Sequence, residues 1–465
     1  MLLFFAIASL LCFMENAHAS FTFEDEKRLG KEFYDDIKGK HLLLEDKRTS
    51  DFINGIGQRL LEQGKYFPLD FTFSVIKSSG INAFATPGGY VYVYSGLIEL
   101  TESESQLAGV LAHEIAHVKS RHIAQMIEKT KKMNIATLAA MLAGAFLGSE
   151  GFAAVSSLAM ATATTLNLKY SREHEEEADR LGMSYLVNAR YNGKAMLDFL
   201  KIMRQYEFYS DSIPSYFMTH PGTNDRIRYL TLLLQTRYTM KGSKYIVGGF
   251  DRIRTMLILA NNTLQANFKY FDAILKKDPD NLEALYGLAV TESRMGQIDA
   301  AGLHFARALQ FAPNDADILR DLGICYFQIG DIPNAITTLK KAYGINSHDR
   351  YIAFNLGRSY ETAGDFHTAL ELYKQIQKDN PQDREIFYNL AMVYGKTADM
   401  GESHYSFGIY FKYKGKRKSA RFHFKTALEY YSPNSGRWKE IQQELDKLNA
   451  TPEKQKVKDG HKTPK

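Results

Sequence analysis

The chain has few of the residues that would cross-link it covalently or carry it through a bilayer. Its 465 residues include two cysteines and one tryptophan. Cys12 lies in an N-terminal stretch expected to be removed, and it does not follow the small residue a lipoprotein signal needs. Cys325 would then be alone, which excludes an internal disulfide and makes a buried, inert thiol its expected state. Charge of one sign is also missing: 58 Lys and Arg stand against 53 Asp and Glu, mixed along helix faces. That balance gives no warrant for nucleic-acid binding. Long apolar runs are scarce as well. Ala136 to Gly148 is too short to cross a bilayer, and Ser149-Glu150-Gly151 interrupts it.

The two ends read differently from the rest. Residues 1–19 have the form of a secretory signal peptide, with an apolar Leu2 to Met14 and a small-x-small Ala17-His18-Ala19, although no Lys or Arg precedes the apolar run. Residues 449–465, rich in Lys, Pro, Thr and Gly, are expected to form a disordered basic tail. The length between them allows two or three domains.

What is present begins with His113-Glu114-Ile115-Ala116-His117, inside the apolar-periodic run Leu107 to Ile123. A helix places the two histidines on one face, where both can hold a single Zn²⁺. Glu114 then lies beside the metal's open position, where it can take a proton from a water. Two helix histidines spaced by chance would look the same. A catalytic zinc normally takes three protein ligands, so one is still missing. The best source is Glu173-His174-Glu175-Glu176-Glu177-Ala178-Asp179, which opens an amphipathic helix continuing through Leu186. Glu175 and Asp179 share a face one turn apart, so one can bind metal while the other orients a ligating histidine. The helix dipole alone explains Glu173, Glu176 and Glu177.

Ahead of these motifs, helical patterning covers Asp25 to Asp36 and Ser50 to Leu61, the second closing near Gly64. Phe71 to Ile76 and Tyr90 to Tyr94 alternate like strands, with a turn at Thr86-Pro87-Gly88-Gly89. The second strand could run along a cleft and hold an extended substrate; a plain sheet strand is the other reading, and the two are compatible.

The combination resembles the M48 family of zinc metallopeptidases, whose signature is HExxH followed by a downstream ExxxD helix. Asn82-Ala83-Phe84-Ala85 through Gly88, with Gly96-Leu97, is similar to the family's segment ahead of the metal helix. The resemblance covers roughly residues 22–235 and implies an α+β zincin-like metallopeptidase domain, placed at 20–240. It implies that His113 and His117 are metal ligands, Glu114 the catalytic glutamate, Glu175 the third ligand and Asp179 the aspartate that closes the signature. One Zn²⁺ per chain follows. Thr219-His220-Pro221 is similar to the members that carry C-terminal repeats, which implies His220 in the zinc's fourth position, keeping the enzyme latent. Arg226 matches an arginine of the same loop, implying a catalytic role at the developing oxyanion; a carboxylate partner is the alternative.

Residues 134–168 carry Glu150 as their only charge. Burial as a helical hairpin against the active site is the expected state, because exposing so much apolar surface needs a partner to cover it. A movable plug, or a peripheral membrane contact, is the alternative.

From about residue 265 the organisation becomes periodic. Pro279, Pro313 and Pro381 are separated by 34 and 68 residues, and Leu288, Leu322, Leu356 and Leu390 keep the 34-residue step. Gly296, Gly330 and Gly364 fall at turns, and Ala301, Ala335 and Ala369 begin second helices. This is similar to tetratricopeptide repeats and predicts an all-α superhelix over 246–445. The register breaks near Ala398 and resumes after a 17-residue offset, so 401–433 reads as a final repeat reached after one extra helix. Residues 246–278 read as a degenerate first unit.

The architecture resembles periplasmic M48 proteases with C-terminal repeats that act in outer-membrane protein quality control. That resemblance implies a periplasmic zinc endopeptidase hydrolysing misfolded or stalled clients. Unfolded outer-membrane proteins and the barrel-assembly machinery are its implied partners. The alternative is a chaperone or assembly adaptor acting mainly through its repeats.

Overall fold

The computed structural model describes residues 21–62, 67–128, 133–152, 170–209, 215–238, 242–381 and 383–449. The segment expected to be a signal peptide, the cap expected near Gly64, residues 153–168 and the tail expected beyond Asn449 lie outside the described residues. The chain divides into two compact units, Met1–Asn262 and Thr263–Lys465. The first is a mixed α/β domain and the second is built from repeated helix pairs.

In the first unit, strands β1 (Thr72–Ile76), β2 (Ala83–Thr86) and β3 (Tyr90–Tyr94) form one sheet in the order β1-β3-β2. β1 pairs with β3 in parallel, Thr72 opposite Tyr90, while β2 pairs with it antiparallel, Ala83 opposite Val93. Tyr90–Tyr94 is therefore the central strand, with both hydrogen-bonding edges taken and neither left to hold a substrate. β1 and β2 are the edge strands, and Leu43 bridges β1 at Ile76.

Helices α1 (Phe23–Gly39) and α2 (Lys47–Leu61) present their apolar faces to this sheet, Thr22 and Asp46 capping their N-termini. After α3 (Ser95–Leu100), the helix α4 (Glu104–Lys119) is buried along nearly its whole length. A helix apolar all round belongs inside a core, which is why its sequence shows so little amphipathic bias. Ser103 caps it. Its first residue, Glu104, accepts hydrogen bonds from the Tyr191 hydroxyl and from the backbone N–H groups of Ile246, Val247 and Gly248 at 2.7–2.9 Å.

The apolar run Leu107 to Ile123 is not one helix. It ends at Lys119, Arg121 adopts φ 55°, and a new helix, α5 (His122–Glu128), starts in another direction. The break is held by the Arg121 guanidinium, which bonds Glu26 at 2.6 Å and the carbonyl of Phe21. Helix α6 (Ile135–Phe152) follows, with Leu138, Met141, Leu142 and Phe146 buried against α1 and the sheet. The Phe146 ring stacks on Phe84 at 4.4 Å, and its carbonyl accepts from Asn82 and Tyr94. This part of the apolar segment is packed inside the domain, as expected. No helix among the described residues is long and apolar enough to cross a membrane.

The first unit continues with α7 (Arg172–Asn188), α8 (Lys194–Tyr209), α9 (Ser215–Thr219) and α10 (Thr223–Thr236). A further helix, α11 (Phe250–Asn261), was expected to open the repeats. Its Phe250, Ile253 and Leu257 instead join the core around Phe52 and Val110, so the division falls after Asn262.

In the second unit the 34-residue period is written in the helix caps. Asn281, Asp315, Asp349 and Asp383 cap the first helices, and Asp331, Asp365 and Asp399 the second ones, each accepting from a backbone N–H. The helix Met400–Tyr413 thus keeps the register through Ala398 and is the second helix of the fourth pair. Its Gly408 also approaches Phe424, so it packs as the first helix of the final repeat as well. The sequence hides this continuity because Ala398 stands where Gly296, Gly330 and Gly364 stand, and like them it is left-handed, at φ 61°. Such a conformation is costly for any residue with a Cβ. Ala398→Gly is expected to stabilise the protein by about 0.5–1 kcal/mol in urea unfolding; an unchanged midpoint would show that the strain is not there. Cys325 is buried, 3.7 Å from the Ser293 hydroxyl, and burial pushes its thiol up.

Candidate metal centre

The site is assembled where α7 crosses α4. Gly182 permits the crossing: a Cβ there would lie 3.0 Å from the His113 nitrogen and 3.1 Å from the Ala112 carbonyl. Ser171 caps α7 and sets its first turn, so that Glu175 and Asp179 face the two histidines of α4. His113 Nε2 and His117 Nε2 stand 3.0 Å apart. Glu175 Oε2 lies 3.5 Å from the first and Oε1 lies 3.4 Å from the second.

His220 enters from the opposite side, at the end of α9. Its Nδ1 is 3.3 Å from His113 Nε2 and 3.0 Å from Glu175 Oε1. Its Nε2 is 3.5 Å from Glu114 Oε1. The ring stacks on Tyr216 at 4.5 Å, and the loop is tied by Tyr170 N–H donating to the Thr219 carbonyl. Ligand atoms of His113, His117, Glu175 and His220 all lie within 4.8 Å of one another, and all four residues are buried.

This donor set fits a divalent cation. A tetrahedral site with metal–ligand distances of about 2.0–2.1 Å has edges of about 3.3 Å; the five separations just given run from 3.0 to 3.5 Å, and the whole set lies within 4.8 Å. Two imidazole lone pairs at 3.0 Å repel unless a proton or a cation lies between them. Burial and Arg226 pull His113 down, yet Glu175 and Asp179 raise it to about 9, while burial drives His117 well below the usual range. Glu114 is fully buried, and among the described residues neither carboxylate oxygen, nor His220 Nε2 facing it, has a hydrogen-bond partner. Burial raises its carboxyl, with His220 and His113 opposing.

Residues 48–233 match peptidase family M48, and residues 269–316, 294–353 and 354–396 match tetratricopeptide repeats. The chain carries an M48-family metallopeptidase domain fused to tetratricopeptide repeats. The "Putative beta-barrel assembly-enhancing protease" of Vibrio cholerae serotype O1 is 30% identical over 291 residues, 61% of this chain and 60% of that protein. The beta-barrel assembly-enhancing protease of Escherichia coli K12 is 30% identical over 216 residues, 46% of this chain and 44% of that protein. The mitochondrial metalloendopeptidase OMA1 of Schizosaccharomyces pombe is 29% identical over 206 residues, 44% of this chain and 59% of that protein. The matches thus span about half the length of these relatives.

Around the ligand cluster of the M48 domain lies a set of buried supports. Asp179 Oδ1 is 3.0 Å from His113 Nδ1. Arg226 donates to both Asp179 oxygens at 2.8 Å, and its Nη1 is 2.6 Å from Glu175 Oε2. Burial would raise both carboxyls, but Arg226 foremost holds Asp179 low and Glu175 well below the usual range. Of the two alternatives for Arg226, the carboxylate partner is what the geometry contains.

Sequence reasoning passed over His122 and Tyr170. Five residues along an unbroken helix point about 140° away, so a helix through Ile123 would turn His122 from the site. The break at Arg121 returns it, with its Nδ1 2.8 Å from His117 Nδ1 and its Nε2 3.3 Å from Glu177. The Tyr170 ring lies on His117 at 3.8 Å, a contact that no local pattern signals.

Proposed function

We propose that this protein is a zinc-dependent endopeptidase, kept latent by His220, that hydrolyses misfolded or stalled proteins of the periplasm and outer membrane. The observation that carries it is the convergence of His113, His117, Glu175 and His220 beside a Glu114 carboxylate with no hydrogen-bond partner among the described residues. Zinc held by these residues, one ion per chain, would supply a Lewis acid that polarises the peptide carbonyl and acidifies a water. Glu114 takes the proton of the attacking water and hands it to the leaving nitrogen. Asp179 holds the His113 ring, and Arg226 holds Asp179 and Glu175, acting as a positioning residue rather than as an oxyanion donor.

His220 fills the space between Glu114 and the other three donors, where a water and a carbonyl would have to stand. Catalysis therefore requires the Thr219–Pro221 segment to withdraw. A latched enzyme with an open state populated at about 0.1–10% gains about tenfold or more when the latch is removed. His220→Ala is expected to cleave an unfolded outer-membrane barrel protein at least that much faster than wild type. Equal or slower cleavage would sink latency and leave the peptidase reading standing.

The chemistry belongs to the segment expected at 20–240 and client binding to the repeats that follow Asn262. The names of the relatives support barrel-protein clients and the assembly machinery as partners, and a periplasmic site reached through the N-terminal signal. The buried His220 also favours a second role as a repeat-mediated chaperone or adaptor while the latch is closed. Protection of an unfolded barrel protein from aggregation by Glu114→Gln would reveal that role.

A further inference from the structure

We propose that His122 is a positioning residue of the metal centre, holding the His117 imidazole through a hydrogen-bonded chain that runs His117–His122–Glu177. The proposal rests on the reading that His113, His117 and Glu175 bind a divalent metal. His117 turns Nε2 toward the other candidate ligands and Nδ1 away from them, to 2.8 Å from His122 Nδ1. To offer the Nε2 lone pair, a neutral His117 must carry its proton on Nδ1, and His122 Nδ1 must then accept it. That requirement puts the proton of His122 on Nε2, which stands 3.3 Å from Glu177 Oε2. Each donor thus meets an acceptor in one direction, from the metal site to a carboxylate that is 46% exposed.

The surroundings hold His122 in place. Its side chain is fully buried, and its ring stacks on His174 at 4.3 Å and meets Tyr170 edge-on. The left-handed turn at Arg121, tied to Glu26, delivers it to His117. The two histidines of the motif are therefore supported by different means. His113 has the Asp179 carboxylate directly, whereas His117 has a neutral histidine backed by a surface glutamate.

The full chain is titrated with Zn²⁺ against a chromogenic chelator, and with Co²⁺ followed by visible absorption. Losing the outer partner of a ligating histidine lowers metal affinity by about 10–100-fold. His122→Leu and His122→Asn are nearly equal in size, but only Asn offers an oxygen near the Nδ1 position. His122→Leu is expected to lose affinity in that range and to shift the Co²⁺ bands, while His122→Asn recovers most of both. Equal affinity and identical bands in the two variants overturn the proposal. If His122→Leu does not fold, Glu177→Ala at its exposed position carries the test: weaker binding with shifted Co²⁺ bands supports the chain, and wild-type values overturn it. Wild-type protein that binds neither ion would overturn the metal reading and this proposal with it, an outcome distinct from variants that match a metal-binding wild type.

Discussion

Glu114→Gln is expected to lower the cleavage of an unfolded barrel protein by about 10²–10⁴-fold, the usual worth of a positioned general base. The amide has the shape of the carboxylate but cannot take the proton of the attacking water. Both Glu114 oxygens are buried without hydrogen-bond partners among the described residues, so no hydrogen bond seen there is lost and the fold should be unaffected. Bound metal should stay at the wild-type ratio, because the ligand atoms belong to other residues. Cleavage and metal content measured on the same preparation decide the matter. Wild-type cleavage by Glu114→Gln would remove Glu114 from the mechanism, whereas loss of metal along with activity would make it a ligand.

Arg226→Ala is expected to cost about 3–5 kcal/mol of stability, the penalty for leaving buried charges without their partner. Asp179 and Glu175 are both buried, and Arg226 engages both. Arg226→Lys should recover only part of the loss, since an ammonium cannot reproduce the two parallel bonds to Asp179. The effect has a defined sign with pH. Arg226 lowers both carboxyls below their unfolded values. Their contribution is therefore complete above about pH 4–5 and is lost as the pH falls through the folded values. Urea unfolding of metal-free protein should show a wild-type advantage at pH 7 that narrows under acid. A constant gap across that range would mean the cost comes from lost packing, not charge. The same variant tests its role in catalysis, because a positioning residue should alter metal affinity as well as turnover.

Much of the site could be seen in the order of residues. His113, Glu114 and His117 share one helix, where spacing alone sets the geometry, and Glu175 and Asp179 repeat that logic on another. The sheet was harder. Tyr90 to Tyr94 alternates like an edge strand, but alternation reports which faces are buried and not which edges are bonded. His122 was concealed by a helix break whose cause, Glu26, lies 95 residues from Arg121. In the repeats, the Asp399 cap kept a period that the loss of glycine at Ala398 obscured.

The sequence by itself determined the histidine pair, the acidic helix that joins it and the 34-residue repeat. Each depends on spacing within one or two neighbouring elements. Only the tertiary structure decided that β3 is central, that Arg226 is spent on carboxylates and that His122 backs His117. Those outcomes depend on packing and hydrogen bonds between distant segments, and no local periodicity records them.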